Sequence, residues 1–260
     1  MKGKKDKGYN LHVSAFAIIG YPASNSLSPA LMSRLGLDYR AIDLRPEHLA
    51  RFFFLEARTL DGFNITHPHK ARVIPFLHEL SSDASVVGAV NCVVKVGNKW
   101  VGHNTDHLGV GFVLSKYELK PLKALILGTG GAARAAAHAL RGAGADTTMV
   151  SRDPSPGQLS WTQLSRMELG QWDILVNATP LELPDVPLKS LNKNCFVFDM
   201  NYKPADKTPL VKAALSSGLR ACDGFDMLIA QHSWNLVIWL GGSQELWLEK
   251  LQRVAQEVRP

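Results

Sequence analysis

The chain has 260 residues, of which 46% are hydrophobic and 20% charged, a composition typical of a soluble globular protein with a core of its own. Its formal net charge is +6, and part of this excess lies in residues 1–10, which are predicted to be a disordered basic tail. No basic stripe interleaved with aromatic residues occurs elsewhere, so we expect small anionic ligands and no nucleic-acid partner.

The sequence has neither a signal-peptide pattern nor an apolar run of membrane-spanning length, so we expect no membrane partner. Its cysteines, Cys92, Cys195 and Cys222, are widely spaced and odd in number. They are predicted to be buried free thiols in the cytoplasm. No metal site is predicted, because neither these cysteines nor the histidines follow a metal-ligand spacing.

Taken in chain order, apolar strands alternate with helices. Strands are predicted at residues 15–20, 38–44 and 62–66, and a hairpin at 90–102. Helices are predicted at residues 29–35, 46–60 and 68–77. Pro29 and Pro46 favour the first turns of two of these helices. Alternation of this kind predicts a mostly parallel sheet covered by helices.

A possible catalytic corner lies where the strand at 62–66 meets the segment after Pro68. Thr66, His69 and Lys70 stand at this corner, and such loops commonly hold reactive groups over a rigid scaffold. On this segment alone, a catalytic lysine and a solvated lysine remain equally open. The stretch from Gly102 to Asp106 favours the catalytic interpretation, because a dinucleotide motif follows it.

That motif is the glycine turn Gly-Thr-Gly-Gly-Ala at residues 128–132. It joins an apolar strand at 122–127 to an alanine-rich helix, as a dinucleotide-binding fingerprint requires. The glycines let the backbone approach a pyrophosphate, and the helix N-terminus supplies unpaired N–H groups. A plain tight turn is the alternative, and the flanking elements favour cofactor binding.

The strand predicted at 147–150 ends in Ser151, Arg152 and Asp153. An arginine here suits the 2′-phosphate of NADP, whereas a carboxylate suits the ribose of NAD. Arg152 with the Ser151 hydroxyl therefore predicts NADP, and NAD is less favoured. Asp153 could repel the phosphate or pair with Arg152, and a solvated surface arginine is the remaining alternative.

Several segments resemble the shikimate dehydrogenase family in order and spacing. They are Ser-Leu-Ser-Pro at 26–29, Asn-Ile-Thr-His-Pro-His-Lys at 64–70, Gly-Ala-Val-Asn at 88–91, Asn-Thr-Asp at 104–106, the glycine turn at Gly128, Asn-Ala-Thr at 177–179, and Asp223-Gly224 with Met227-Leu228 and Gln231. The resemblance implies an NADP-dependent oxidoreductase that interconverts 3-dehydroshikimate and shikimate in chorismate and aromatic amino-acid biosynthesis.

The resemblance also implies an α/β fold of two domains around a cleft. The N-terminal substrate domain would span residues 11–105 and be completed by helices at 225–260. A Rossmann-type, doubly wound dinucleotide-binding domain would span residues 106–224. We expect a cytoplasmic monomer or homodimer.

Site residues follow from the same resemblance. Lys70 and Asp106 would be the catalytic pair, with the choice of proton donor left open. The residues implied to bind substrate are Ser26, Ser28, Thr66, Asn91, Tyr202 and Gln231. The residues implied to bind cofactor are Gly128, Gly130, Gly131, Ala132, Ser151, Arg152, Asn177, Thr179, Gly224 and Met227. A core contact is the alternative for Met227, and cap or turn chemistry is the alternative for the serines, Thr66 and Asn91.

Four positions depart from the family pattern. His107 stands where the family usually has glycine and is expected to add bulk near the nicotinamide. Pro180, Asp226 and Asp153 replace residues that are usually small or neutral. The alternatives that remain are a quinate/shikimate dehydrogenase with NAD preference and a non-catalytic shikimate- or nucleotide-binding homologue.

Overall fold

The structure, a computed structural model, describes residues 14–202 and 206–259. The basic tail predicted at residues 1–10 lies outside the described residues. Within the described ranges, no helix combines the length and the apolar character needed to cross a membrane.

Two six-stranded sheets organise the described part of the chain. The strands of the first are β1 (Ala15–Gly20), β2 (Asp38–Asp43), β3 (Gly62–Ile65), β4 (Glu79–Leu80), β5 (Cys92–Val96) and β6 (Lys99–His103). Their order is β2-β1-β3-β5-β6-β4, with β1 parallel to both neighbours and β5 antiparallel to β3 and β6. The helices beside this sheet are α1 (Ser28–Arg34), α2 (Leu49–Leu55) and α3 (Ser82–Val87), and α4 (Asp106–Lys116) leads out of it. The hairpin predicted at 90–102 is confirmed.

The second sheet is parallel throughout. Its strands are β7 (Lys123–Leu127), β8 (Asp146–Ser151), β9 (Leu159–Ser160), β10 (Ile174–Asn177), β11 (Phe196–Asp199) and β12 (Arg220–Cys222), and its helices are α5 (Gly131–Gly142), α6 (Trp161–Leu164) and α7 (Pro209–Ser216). The order β12-β11-β10-β7-β8-β9 reverses direction between β7 and β10. This is a doubly wound Rossmann-type sheet, and ligands bind such sheets at the carboxyl ends of the strands where the order reverses.

The last two helices, α8 (Phe225–Leu240) and α9 (Gln244–Val258), return to the first sheet. Their apolar faces share one core with β1 and α1, in which Leu228 and Leu251 pack with Phe16 and Leu31. The rings of Phe16 and Trp239 stack with centroids 4.7 Å apart. Residues from both ends of the chain therefore form one side of the first sheet.

The prediction of a helix at residues 68–77 is wrong. Residues 67–73 form consecutive turns, and a 3₁₀ turn at Ile74–Phe76 follows. Pro75 explains the difference, since proline lacks a donor N–H and disfavours helical geometry in the residue before it. The helix predicted at 46–60 is an α-helix only at Leu49–Leu55, with a 3₁₀ turn on each side.

Candidate active site

A cleft of about 710 Å³ lies between the carboxyl ends of the strands of the two sheets. The predicted residues that line it are Ser26, Ser28, Thr66, Lys70, Asn91, Asp106, Gly130, Gly131, Ala132, Thr179, Tyr202, Gly224, Met227 and Gln231. Four predicted residues, Gly128, Ser151, Arg152 and Asn177, are not part of its lining. The fold thus brings most of the predicted set to one concave surface.

Lys70 and Asp106 form an ion pair in the cleft. Lys70 Nζ donates to Asp106 Oδ2 at 2.6 Å, and their side chains are 19% and 2% exposed. The other oxygen of Asp106 accepts from Asn91 Nδ2 at 2.9 Å. Asp106 is the first residue of α4, where the helix dipole stabilises a negative charge. The carboxylate is therefore held in place, and the lysine keeps donor hydrogens free for a ligand.

The turn that carries Lys70 is fixed from both sides. The backbone N–H of Val90 donates to the Lys70 carbonyl at 2.7 Å. The buried imidazole of His69 donates from Nε2 to the carbonyl of Leu44 at 2.6 Å, and burial lowers the pKa of His69. A neutral His69 thus anchors the turn, and its neighbour Lys70 faces the cleft.

At the far end of the cleft, two serines meet a histidine that the sequence analysis missed. Ser26 Oγ donates to Ser28 Oγ at 2.9 Å, and Ser28 Oγ lies 2.8 Å from His232 Nε2. His232 is 1% exposed, and burial lowers its pKa to about 3, so the imidazole is neutral. Asn235 Nδ2 lies 3.1 Å from His232 Nδ1, while Asn235 Oδ1 accepts from Thr105 Oγ1 at 2.7 Å.

These contacts define the tautomer of His232. Since the amide oxygen of Asn235 already accepts from Thr105, its NH₂ group donates to His232 Nδ1. The ring proton is then on Nε2 and is donated to Ser28 Oγ. Ser28 Oγ accepts from both His232 and Ser26, which leaves its own hydroxyl hydrogen to be donated, and the phenol oxygen of Tyr39 is one acceptor within its reach.

The two ends of the cleft belong to one hydrogen-bond network. Thr105 accepts from Asn91 Nδ2 at 2.9 Å, and its backbone N–H donates to Asn91 Oδ1 at 2.6 Å. Asn91 Nδ2 also reaches Gln231 Oε1 at 2.7 Å and the carboxylate of Asp106. Through Thr105 and Asn235, the serine end of the cleft is thus joined to the Lys70–Asp106 pair.

A sequence signal for His232 and Asn235 exists in hindsight. Both lie on α8, within one turn of Gln231, and are polar residues in an otherwise apolar helix. Buried polar side chains need hydrogen-bond partners, and Gln231, on the same helix, is predicted to face the cleft. Thr105 gives no such signal, because a threonine before a helix is usually a simple cap.

The glycine turn fits a dinucleotide. Gly128 has φ +104°, which favours glycine, and a Cβ there would lie 3.2 Å from the Thr179 side chain. A Cβ on Gly131 would lie 3.1 Å from the Lys70 Cβ, so a side chain there would crowd the turn that carries Lys70. The first turn of α5 faces the cleft with the backbone of Gly130 and Ala132. This is the arrangement by which helix N-termini bind phosphates.

Asn177 supports the loop after β10 instead of lining the cleft. Its Nδ2 donates to the carbonyl of Leu181 and to Asp199 Oδ1, both at 2.9 Å. Its Oδ1 accepts from Thr179 Oγ1 at 2.7 Å. Gly224, at the other side of the cleft, is tightly enclosed, since a Cβ there would overlap the Met200 carbonyl.

Ser151 and Arg152 lie at the end of β8. The Ser151 hydroxyl donates to the Asp153 carbonyl at 2.9 Å and accepts from its N–H at 3.1 Å. Arg152 is exposed, and among the described residues it forms no ion pair with Asp153. The guanidinium is therefore accessible, whereas the serine hydroxyl already has partners within its own turn.

The expectation that His107 adds bulk near the nicotinamide is wrong. Asp106 faces the cleft, and the next residue of a helix is rotated by about 100°. His107 accordingly lies against α5, with its ring centroid 5.1 Å from that of His138. Asp226 also has a local role, since its carboxylate accepts from Lys116 Nζ at 2.7 Å.

Comparisons with known proteins identify relatives over most of the chain. A family model described as "Shikimate dehydrogenase substrate binding domain" matches residues 18–93. Shikimate dehydrogenase (NADP(+)) of Geobacter metallireducens is 36% identical over 260 residues, covering 86% of this chain and 90% of the relative. The enzyme of the same name from Staphylococcus aureus is 35% identical over 249 residues, covering 86% and 91%.

Solved structures give the same result. Shikimate dehydrogenase of Aquifex aeolicus is similar with a TM-score of 0.83 and 29% identity, over 95% of this chain and 99% of that one. Shikimate 5-dehydrogenase of Thermus thermophilus, in complex with NADP(H) and shikimate, gives 0.75 and 31%, over 93% and 99%. The similarity extends across both sheets.

Proposed function

The chain belongs to the shikimate dehydrogenase family, and on that premise we propose that it reversibly reduces 3-dehydroshikimate to shikimate with NADPH, in chorismate and aromatic amino-acid biosynthesis. The observation that carries the proposal is the Lys70–Asp106 pair. It lies in one cleft with a serine pair on one side and a dinucleotide turn on the other.

Lys70 acts on the oxygen of the reacting ketone. Bound NADPH supplies the hydride that the ketone carbon accepts. The Lys70 ammonium donates a hydrogen bond to the oxygen, stabilises the developing negative charge and transfers a proton to it. The Asp106 carboxylate accepts from Nζ at 2.6 Å and balances its charge. Asn91 keeps the carboxylate oriented from its other oxygen.

The Ser26–Ser28 end binds the substrate carboxylate. His232 donates to Ser28 Oγ, so the Ser28 hydroxyl hydrogen is left to be donated either to Tyr39 or to the substrate carboxylate. His232 is thus a positioning residue that acts through Ser28. Tyr202 lines the same side of the cleft. Thr66, Asn91 and Gln231 lie between the two ends and bind the ring hydroxyls.

NADP would lie against the second sheet. The N-terminus of α5, from Gly130 to Ala132, would bind its pyrophosphate, and Gly224 and Met227, which line the cleft, would border its nicotinamide. Arg152 would pair with the 2′-phosphate, which favours NADP over NAD. The negative charge of Asp153 reduces this preference. It does not remove it, because Asp153 forms no ion pair with the Arg152 guanidinium among the described residues.

The proposal also covers the domain division, the location and the oligomeric state. The substrate domain comprises residues 11–105 with the helices at 225–260, and the cofactor domain comprises residues 106–224. The shared core of α8, α9 and β1 supports this division. We also propose a cytoplasmic location and a monomer or homodimer.

The test follows NADP reduction spectrophotometrically with purified protein and shikimate, and repeats it with NAD and with quinate. We expect turnover with shikimate and NADP, and its loss in Lys70→Met with shikimate binding retained by calorimetry. Lys99→Met is the matched control, because Lys99 Nζ also lies 2.6 Å from a carboxylate, Glu79, but on the exposed hairpin. Full turnover in Lys70→Met would defeat the mechanism, and better turnover with quinate or NAD would favour the sister enzyme.

A further inference from the structure

Three side chains able to bind a metal ion lie together outside the cleft. Asp83 comes from α3, His107 from α4 and His138 from α5. His138 Nε2 lies 3.1 Å from Asp83 Oδ1, and His107 Nε2 lies 3.9 Å from Asp83 Oδ2. One ligand atom of each residue lies within 4.8 Å of the other two. The three groups therefore face a common point.

This cluster stands at the end of the contact between α5 and the segment at residues 83–89. The face of α5 concerned consists of residues at helical spacing, Gly131, Arg134, Ala135 and His138. Arg134 Nη2 donates to the carbonyl of Gly88 at 2.8 Å, and Ala135 is buried with Val87 and Ala89. The cluster thus lies at one end of the contact between α5 and residues 83–89, which joins the first sheet to the second. The other end of this contact, at Gly131, lies beside Lys70, the proposed catalytic lysine.

The distances within the cluster fit a shared metal ion as well as they fit a direct His138–Asp83 hydrogen bond. Ligands about 2.0–2.1 Å from a tetrahedral Zn²⁺ lie about 3.3 Å from one another. The Asp83–His138 distance already matches this value. The 3.9 Å between Asp83 and His107 is too long for a hydrogen bond, yet it needs only a small side-chain rotation to reach the ligand distance.

We propose that Asp83, His107 and His138 bind a divalent transition-metal cation of the Zn²⁺ class, which fastens α3 and α4 to α5. Two imidazole nitrogens with one carboxylate suit Zn²⁺, whereas Mg²⁺ and Ca²⁺ prefer oxygen ligands. His107 and His138 also line an open cavity of about 720 Å³. The ion can enter from that side, and a water can complete its coordination.

The proposal goes beyond the dehydrogenase reaction, because none of the three ligands is among the residues assigned to substrate, cofactor or proton transfer. Sequence alone gives no hint of it, since the three residues come from separate helices and share no ligand-spacing motif. Its failure would leave the proposed activity intact. The competing explanation is an ordinary ion pair between His138 and Asp83. In that case the His107 ring packs against the His138 ring and binds no metal.

The test is calorimetric titration of the full-length, metal-free protein with Zn²⁺ and separately with Mg²⁺. Variants are His107→Ala, His138→Ala and Asp83→Asn, and the matched control is His48→Ala, which removes an exposed histidine far from the cluster. We expect one Zn²⁺ per chain and no Mg²⁺ binding. Affinity should fall more than about tenfold in each ligand variant, since even partners behind a ligand contribute that much, and should be unchanged in His48→Ala.

Two further readouts do not depend on activity. Zn²⁺ should raise the thermal unfolding midpoint of the parent protein and leave that of Asp83→Asn unchanged. Co²⁺ should give the intense visible absorption of a four- or five-coordinate site. No Zn²⁺ binding by the parent protein, or Zn²⁺ binding that survives His107→Ala, would overturn the three-ligand site in favour of the simple ion pair.

Discussion

The two sides of the cleft are built in different ways. On the proposed substrate side, polar groups are buried and bonded to one another, and a continuous network runs from Ser26 to Lys70. On the cofactor side, the glycine turn supplies backbone and empty space, while Arg152 projects from the surface. The first side is preorganised by the protein, and the second depends on the ligand to complete it.

The two sides should therefore respond differently to substitution. A buried polar group that loses its partner leaves another group unpaired, and the penalty extends through the network. An exposed charge acts in water, where screening reduces its effect. We therefore expect large effects of substitution on the substrate side and small effects on the cofactor side.

The largest expected effect is that of Asp106→Asn. The substitution keeps the shape of the side chain and removes the charge that holds Lys70. We expect kcat to fall by about 10²–10⁴-fold, the range typical of lost acid–base assistance, while the Kd for shikimate changes little. Steady-state kinetics with calorimetry measures both quantities. Glu79→Gln, which breaks the exposed ion pair with Lys99, serves as the control and should leave kcat unchanged.

The next effect concerns His232 and separates positioning from simple packing. His232→Ala removes the donor that orients Ser28, and we expect KM for shikimate to rise about 10- to 100-fold, as for a lost hydrogen bond near a charged ligand. KM for NADP should stay constant. His232→Gln can donate to Ser28 and accept from Asn235, and should restore most of the affinity. Equal KM values for shikimate in the parent and His232→Ala would contradict the role.

A third prediction tests the burial of His232 through pH. Burial lowers its folded-state pKa to about 3, below an unfolded value of about 6.5, so the unfolded chain takes up the proton first. The associated stability is complete above about pH 6.5 and is lost as pH falls toward 3. Between these values the free energy of unfolding should decline by about 1.4 kcal/mol more per pH unit in the parent than in His232→Gln. Urea unfolding at several pH values measures the slopes, and parallel slopes would refute the neutral buried imidazole.

The smallest effect is expected on the cofactor side. Arg152→Ala removes an exposed charge worth about 1 kcal/mol, so KM for NADP should rise about fivefold. KM for NAD and for shikimate should not change. Arg166→Ala removes another exposed arginine of the same half and is the charge-matched control. A similar loss with NAD would show that Arg152 does not select the 2′-phosphate.

Much of the fold could be predicted because local patterns determine it. The strand–glycine turn–helix around Gly128 and the hairpin at Gly97 depend on residues adjacent in sequence, and both are confirmed. The helix predicted after Pro68 failed because apolar spacing from Val73 to Leu77 looked helical while Pro75 excluded it. The short helix α3 was missed for lack of a long periodic pattern.

The same distinction between local pattern and tertiary packing applies to the site. Lys70 and Asp106 belong to compact sequence motifs, whereas their 2.6 Å contact joins residues 36 positions apart. The roles of His232 and Asn235 depend on how α8 packs against the first sheet. The helical step after Asp106 turns His107 away from the cleft, but only tertiary packing shows that α5 lies on that side. Sequence motifs identify the chemistry, and tertiary packing determines which side chains support it.

The stacking of Phe16 on Trp239 has a consequence for how the protein is made. Phe16 lies on β1, but the helices that cover it, α8 and α9, are translated only after the whole of the second sheet. The second sheet, from Lys123 to Cys222, is continuous in the chain and can close before them. The half that is translated first is therefore completed last. Until then its apolar face stays open to solvent, and we expect it to be the part of the nascent chain that chaperones bind.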